Sequence, residues 1–313
     1  MSLEIGPVKV GRPVVGLALG SGAARGWAHM GVYRALEASG IQVDVVTGTS
    51  AGAVVGAYIA AGEVHNLEDL SGQERLFKNR FNLLDFSWAE AGLISGKKMI
   101  DLHRGALQAR DFSDLQIPFG AVATNLTTME EVHITDGSIF PALRASAAVP
   151  GFMSPSEAPG GVQLVDGGML NPVPVSLARK LGADIVIAVD LDARFHPEYH
   201  RCETTAQVMN RSIEVMMRRI RLINRETFPA DVIIEPEMRD YGFLDYHRAQ
   251  EAARHGYDIT MERMDEIQSL LDRPLGYYKE KYLLNTRAFD RFFKKLSLRN
   301  LSQRGEKQPV ERA

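Results

Sequence analysis

Val14-Val15-Gly16-Leu17-Ala18-Leu19-Gly20-Ser21-Gly22-Ala23-Ala24-Arg25-Gly26 opens the most informative part of the chain, and Val43-Asp44-Val45-Val46-Thr47-Gly48-Thr49-Ser50-Ala51-Gly52 completes it. Each segment is a short apolar run that breaks into glycines, the pattern of a buried strand running into a tight loop. After the first, Val32 and Leu36 keep helical spacing up to a stop signal at Gly40. After the second, Ala53 to Ala61 continues as a helix closed by Gly62. Strand, loop, helix, given twice over, predicts a parallel sheet, because parallel neighbours need a crossover connection and helices usually supply it.

Outward from this core, strands are expected over 119–125, 131–135, 162–165, 184–190 and 231–235, with helices over 141–146, 174–181, 206–226 and 245–271. Residues 64–110, with Trp88 and the loop 92–96, read as a lateral or capping helical layer. No internal repeat or low-complexity linker divides the chain. The reading is therefore one domain over 1–285 and a basic C-terminal extension over 286–313.

Of 313 residues, 45% are hydrophobic, enough for a substantial core, and the formal net charge of -3 gives no bulk attraction to nucleic acid. A single cysteine, Cys202, excludes an intramolecular disulfide and any multi-cysteine metal site, and fits a reducing cytoplasm. Residues 1–13 lack the apolar stretch and cleavage site of a secretory signal. No run approaches the twenty or so apolar residues of a membrane span, so any membrane contact would be peripheral, from the aqueous side at the inner face.

Gly48-Thr49-Ser50-Ala51-Gly52 is a Gly-x-Ser-x-Gly sequence between a strand and a helix. A serine hydroxyl attacks poorly unless it is held exposed at a fixed angle and given a base. The tight turn supplies the angle, and Gly48 and Gly52 keep the flanking positions small. The same five residues also fit an ordinary strand–helix turn with an incidental serine. Gly20, Gly22 and Gly26 allow close backbone approach to a negative charge at a helix start. A dinucleotide phosphate is disfavoured there, because the spacing is Gly-x-Gly-x-x-x-Gly and no acid ends the second strand. An oxyanion hole built on the amides of Gly22, Ala23 and Ala24 fits better, with Ser21 in the loop and Arg25 steadying it; a purely structural turn is the alternative.

A Ser-His-Asp triad is weighed against the eight histidines. His247 and His255 sit in a polar helical stretch without a positioning loop, and His29 reads as a packing or surface residue. Asp166 ends an apolar strand and is followed by Gly167 and Gly168, which clear space around its carboxylate. In a partly dry pocket such a group can take a serine proton directly. Taken alone, Asp-Gly-Gly reads as a common turn.

The order of these motifs, together with Ala145-Ser146-Ala147-Ala148-Val149-Pro150-Gly151-Phe152 and the Asp166–Pro174 block, resembles the patatin-like phospholipases, especially small bacterial members. The resemblance runs over roughly 14–190. It implies a three-layer α/β/α sandwich with a mainly parallel central sheet and a catalytic dyad of Ser50 and Asp166. It also implies hydrolysis of fatty acyl esters of lipids without metal or cofactor. One departure is Ser21-Gly22-Ala23, where many relatives carry three glycines. A non-catalytic lipid- or protein-binding regulator on the same fold is the rival reading, disfavoured by intact Ser50 and Asp166. Oligomeric state is left open.

Two segments carry amphipathic patterning. Over 206–226, Met209, Ile213, Met216, Ile220 and Ile223 form an apolar seam beside Arg211, Arg218, Arg221 and Arg225. Packing of that seam on the sheet is preferred to contact with a membrane. The tail (Phe292, Phe293, Arg291, Lys294, Lys295 and Arg299) is a second possible lipid contact.

Overall fold

The computed structural model describes residues 12–72, 85, 92–192 and 202–273. Pro13–Leu271 form one compact unit; nearly all of the other unit lies outside the described residues, as do Trp88 and the basic tail.

Eight strands make one sheet: β1 (Val15–Leu19), β2 (Val45–Thr49), β3 (Phe119–Asn125), β4 (Glu131–Ile134), β5 (Ser156–Ala158), β6 (Val162–Asp166), β7 (Ile185–Val189) and β8 (Val232–Ile234). Hydrogen bonding links them in the sequence β5-β6-β3-β2-β1-β7-β8, with β4 also paired to β3. The pairs β3–β2, β2–β1, β1–β7 and β7–β8 are parallel. The pairs β3–β4, β3–β6 and β6–β5 are antiparallel. The sheet is therefore mainly parallel and flanked by helices, as the sequence predicts.

The described helices are α1 (Trp27–Ala38), α2 (Ala51–Ala61), α3 (Val64–Ser71), α4 (Lys97–Ala106), α5 (Ile139–Ser146), α6 (Val175–Lys180), α7 (Thr205–Thr227), α8 (Ala249–Glu262) and α9 (Met264–Leu271). Alternation along the strands sends side chains to two faces. Val45 and Val122 meet Leu177 of α6 on one. On the other, Gly56 of α2 comes against Val46 and Phe119. β1, β2, β3 and β7 have fully buried stretches because both faces are covered, which is why they read as continuous apolar runs rather than alternating ones.

One feature of the register positions the site. β4 pairs with Ala121–Thr124 of β3 and occupies one edge of that strand. β2 and β6 must then share the other edge: Thr49 stands beside Val122 and Asp166 beside Ala123. The ends of β2 and β6 therefore meet at adjacent residues of β3.

The structure corrects several sequence expectations. β2 begins at Val45, and α2 begins at Ala51, directly after the serine. The stretch 245–271 divides into a short 3-10 turn, Tyr246–Arg248, then α8 and α9. The short strand β5 was not anticipated. The seam of α7 does not pack as a whole. Ile213 and Ile220 are half-buried, whereas Met209, Met216 and Ile223 are 61%, 52% and 44% exposed. The helix meets the body through Ile213, Met217, Ile220 and Asn224, a stripe rotated away from the one the sequence suggests. Among the described residues no helix is long and apolar enough to cross a membrane.

Candidate active site

Ser50 sits between β2 and α2 at φ 57° and ψ -122°. For a residue with a side chain this is left-handed, strained backbone, costing on the order of 1–3 kcal/mol. Close contacts on both sides explain the flanking glycines. A Cβ on Gly48 would lie 2.3 Å from the carbonyl oxygen of Gly52, and one on Gly52 would lie 2.2 Å from that of Leu19. Further bonds tie the elbow down: Ser50 N–H donates to Ser146 Oγ at 3.0 Å, and the Thr49 hydroxyl donates to the Asn171 carbonyl at 2.8 Å.

Asp166 is buried at the end of β6; its carboxylate accepts a hydrogen bond from Gly168 N–H at 2.7 Å and interacts with the Ser50 hydroxyl. Burial pushes its pKa up to about 6; these two interactions oppose the shift, and the charge of Asp192 adds to it. The carboxyl is thus ionised at neutral pH yet much more basic than a solvated aspartate.

The glycine loop lies alongside. Gly20 N–H donates to Val189, Ser21 N–H to Pro172, Ala24 N–H to Phe243 and Arg25 N–H to Gly22. Among the described residues the amides of Gly22 and Ala23 donate no hydrogen bond. Ala24, expected from sequence as a donor to the site, spends its amide on Phe243. Arg25 is buried, donates through Nε to the Gly22 carbonyl and pairs with Asp192 at 2.8 Å.

Four contributors escaped sequence reasoning. Ser146 and the carbonyls of Asn171 and Phe243 act through backbone bonds that no local pattern announces. The fourth is His29, which is fully buried; its Nε2 lies 2.7 Å from the Gly20 carbonyl. A carbonyl only accepts, so Nε2 carries the proton. Burial, partly opposed by that bond, lowers the His29 pKa to about 4 and keeps the ring neutral. His247 is exposed, and His255 stacks edge-on against Tyr241; neither lines the serine's cavity.

That cavity, about 100 Å³, opens at Ser50 and runs along α2 past Ala51, Val54 and Val55, walled by Leu67 of α3 and Met99 of α4. Its lining is almost entirely apolar. His103 also faces it; its Nδ1 meets the Tyr58 hydroxyl at 3.1 Å, and burial lowers its pKa to about 4.

The model of the family described as patatin-like phospholipase matches residues 17–179, more than half of the chain. The chain belongs to the patatin-like phospholipase family. Relatives include an NTE family protein of Mycobacterium tuberculosis, 38% identical over 205 residues that cover 64% of this chain and 56% of the relative. Another is mouse patatin-like phospholipase domain-containing protein 7, 34% identical over 184 residues, covering 58% of this chain and 14% of the relative. The chain thus spans about half the length of the mycobacterial protein and a small part of the mouse one. VipD from Legionella pneumophila is similar in fold, with a TM-score of 0.51 at 16% identity over 82% of this chain and 67% of VipD.

Proposed function

We propose that this chain is a lipid acyl hydrolase working through a Ser50–Asp166 dyad. The observation that carries the proposal is the Ser50 hydroxyl beside a buried carboxylate, at the end of an apolar cavity suited to a fatty acyl chain. Membership of the patatin-like family supports it.

In this reading Ser50 Oγ bonds to the ester carbonyl carbon while its proton passes to Asp166. The carbonyl oxygen becomes an oxyanion and accepts hydrogen bonds from Gly22 and Ala23 N–H, the two uncommitted amides of the loop. The first turn of α2 adds its favourable dipole. Collapse of the intermediate breaks the ester C–O bond, and Asp166 returns the proton to the departing alcohol. A water molecule then attacks the acyl-enzyme, giving its proton to Asp166. When the Ser50 C–O bond breaks, the serine recovers a proton and the fatty acid leaves. A carboxyl with a pKa near 6 serves both halves of the cycle better than an ordinary aspartate, since it holds a proton more readily and still begins ionised. The tight strand–helix corner, which faces the cavity, and the strain at Ser50 suit a nucleophile that must be presented at one fixed angle.

The test is covalent labelling with a fluorophosphonate, read by intact mass, on the wild type and on Ser50→Ala. The expected result is a single adduct on the wild type and none on the variant. A folded wild type that takes no adduct would overturn the proposal in favour of a non-catalytic lipid- or protein-binding role.

A further inference from the structure

The outward face of α7 is unlike the rest of the described surface. Twelve large hydrophobic side chains are exposed among the described residues, and six of them, Val208, Met209, Val215, Met216, Leu222 and Ile223, belong to this helix. At about 100° per residue they fall within one arc of roughly 140°. The opposite side of α7 rests on the candidate active site. Met217 Cε lies 3.2 Å from where a Cβ on Gly168 would stand, and Asn224 Nδ2 donates to the Leu170 carbonyl at 2.7 Å. Arg221 pairs with Asp190 at 3.4 Å. The helix therefore bears on the turn that carries Asp166.

Charge selects the occupant of the outward arc. α7 holds five arginines (211, 218, 219, 221 and 225) and two glutamates (214 and 226); Arg221 and Arg225 pair with Asp190 and Glu235 of the body, and the cations on the outward side are Arg218 and Arg219. Arg219 is exposed and falls inside the apolar arc, and Arg218 is exposed near its margin. A second copy docked face to face would bring two such cationic helices together. An anionic lipid surface accepts both features: acyl chains cover the apolar arc, and headgroup phosphates take the arginines.

We infer that α7 is the helix by which this protein seats on anionic lipid surfaces, with Met216 and Ile223 immersed and Arg218 and Arg219 at the phosphates. The inference rests on the lipid-hydrolase reading for the choice of a lipid partner. Seating through α7 brings the turn at Asp166 close to the membrane, so the cavity at Ser50 receives its acyl chain from the surface on which the helix lies.

The experiment is co-sedimentation of the full chain, carrying Ser50→Ala so that no lipid is consumed, with phosphatidylcholine vesicles with and without phosphatidylglycerol. Binding is expected to be stronger with phosphatidylglycerol and to weaken as salt rises. Adding Met216→Asp and Ile223→Asp is expected to lower the partition coefficient roughly tenfold or more. Both positions are exposed, so an unchanged melting temperature should accompany that loss. Vesicle binding equal to that of the parent, or no vesicle binding by the parent, overturns the inference. A fall from dimer to monomer in the double variant without a change in vesicle binding overturns it in favour of a second copy. Failure of fluorophosphonate labelling would count against the hydrolase reading and leave the binding result standing.

Discussion

Replacing Asp166 with asparagine should make the protein more stable at neutral pH while abolishing turnover. The carboxyl titrates near 3.8 when solvated and near 6 in the fold, because burial penalises the charged form more than its interactions with Ser50 and Gly168 favour it. The folded state therefore binds this proton more tightly than the unfolded state. The stabilisation from the neutral carboxyl is fully present below about pH 3.8 and is lost as pH rises through about 6. A raised pKa of about two units corresponds to about 3 kcal/mol of cost above pH 7. Asparagine resembles the protonated acid at every pH, and its side-chain oxygen can still accept from Gly168 N–H. The advantage of the variant should be near zero at pH 4 and approach that ceiling by pH 7.5, a rise of roughly 6–10 °C in melting temperature for a domain of this size. Urea unfolding and thermal melts of both proteins across this range are the assay. In the same series, wild-type kcat/KM should climb with an apparent pKa near 6. An asparagine variant no more stable than the wild type at pH 7.5, or a difference that does not change with pH, would refute the reasoning.

Other outcomes follow from the contacts of the site. Gly52→Ala places a Cβ 2.2 Å from the Leu19 carbonyl oxygen and 2.6 Å from that of Gly20; it should cost roughly 2 kcal/mol or more in urea unfolding and slow fluorophosphonate labelling. A variant with wild-type stability and labelling would show that the elbow tolerates a side chain. His29→Met removes the donor to the Gly20 carbonyl and should lower kcat/KM about tenfold, with His29→Gln, which keeps an N–H in reach, recovering most of it. Equal losses in both variants would mean that the ring acts by packing alone. Val54→Trp fills the cavity beside α2 and should depress hydrolysis of long-chain esters far more than of acetyl esters. Uniform loss across chain lengths would argue against an acyl chain lying along that helix.

Much of this architecture was legible in the chain. The central strands are buried on both faces, so their apolar runs stand out, and glycines end them where backbone approaches backbone, as at Gly48 and Gly52. The motif order Gly20–Gly26, Ser50, Asp166 was sufficient to bring the chain to its family. The two helical breaks in 245–271 were not legible, because amphipathic periodicity alone does not register interruptions as short as Arg263 between α8 and α9.

The sequence by itself determined the sheet's parallel core, the elbow around Ser50 and the candidacy of Asp166, since each depends on local sterics and on the burial period of one segment. Only the tertiary structure decided that Ser50 and Asp166 meet. Their contact follows from β2 and β6 sharing one edge of β3, a register that joins residues 116 positions apart and leaves no mark in either segment. It likewise decided that Ala24 spends its amide on Phe243, that His29 anchors Gly20, and that α7 turns six apolar side chains outward. Each of these depends on which atoms fill the space beside a group, and that is a property of the packed chain rather than of its local pattern.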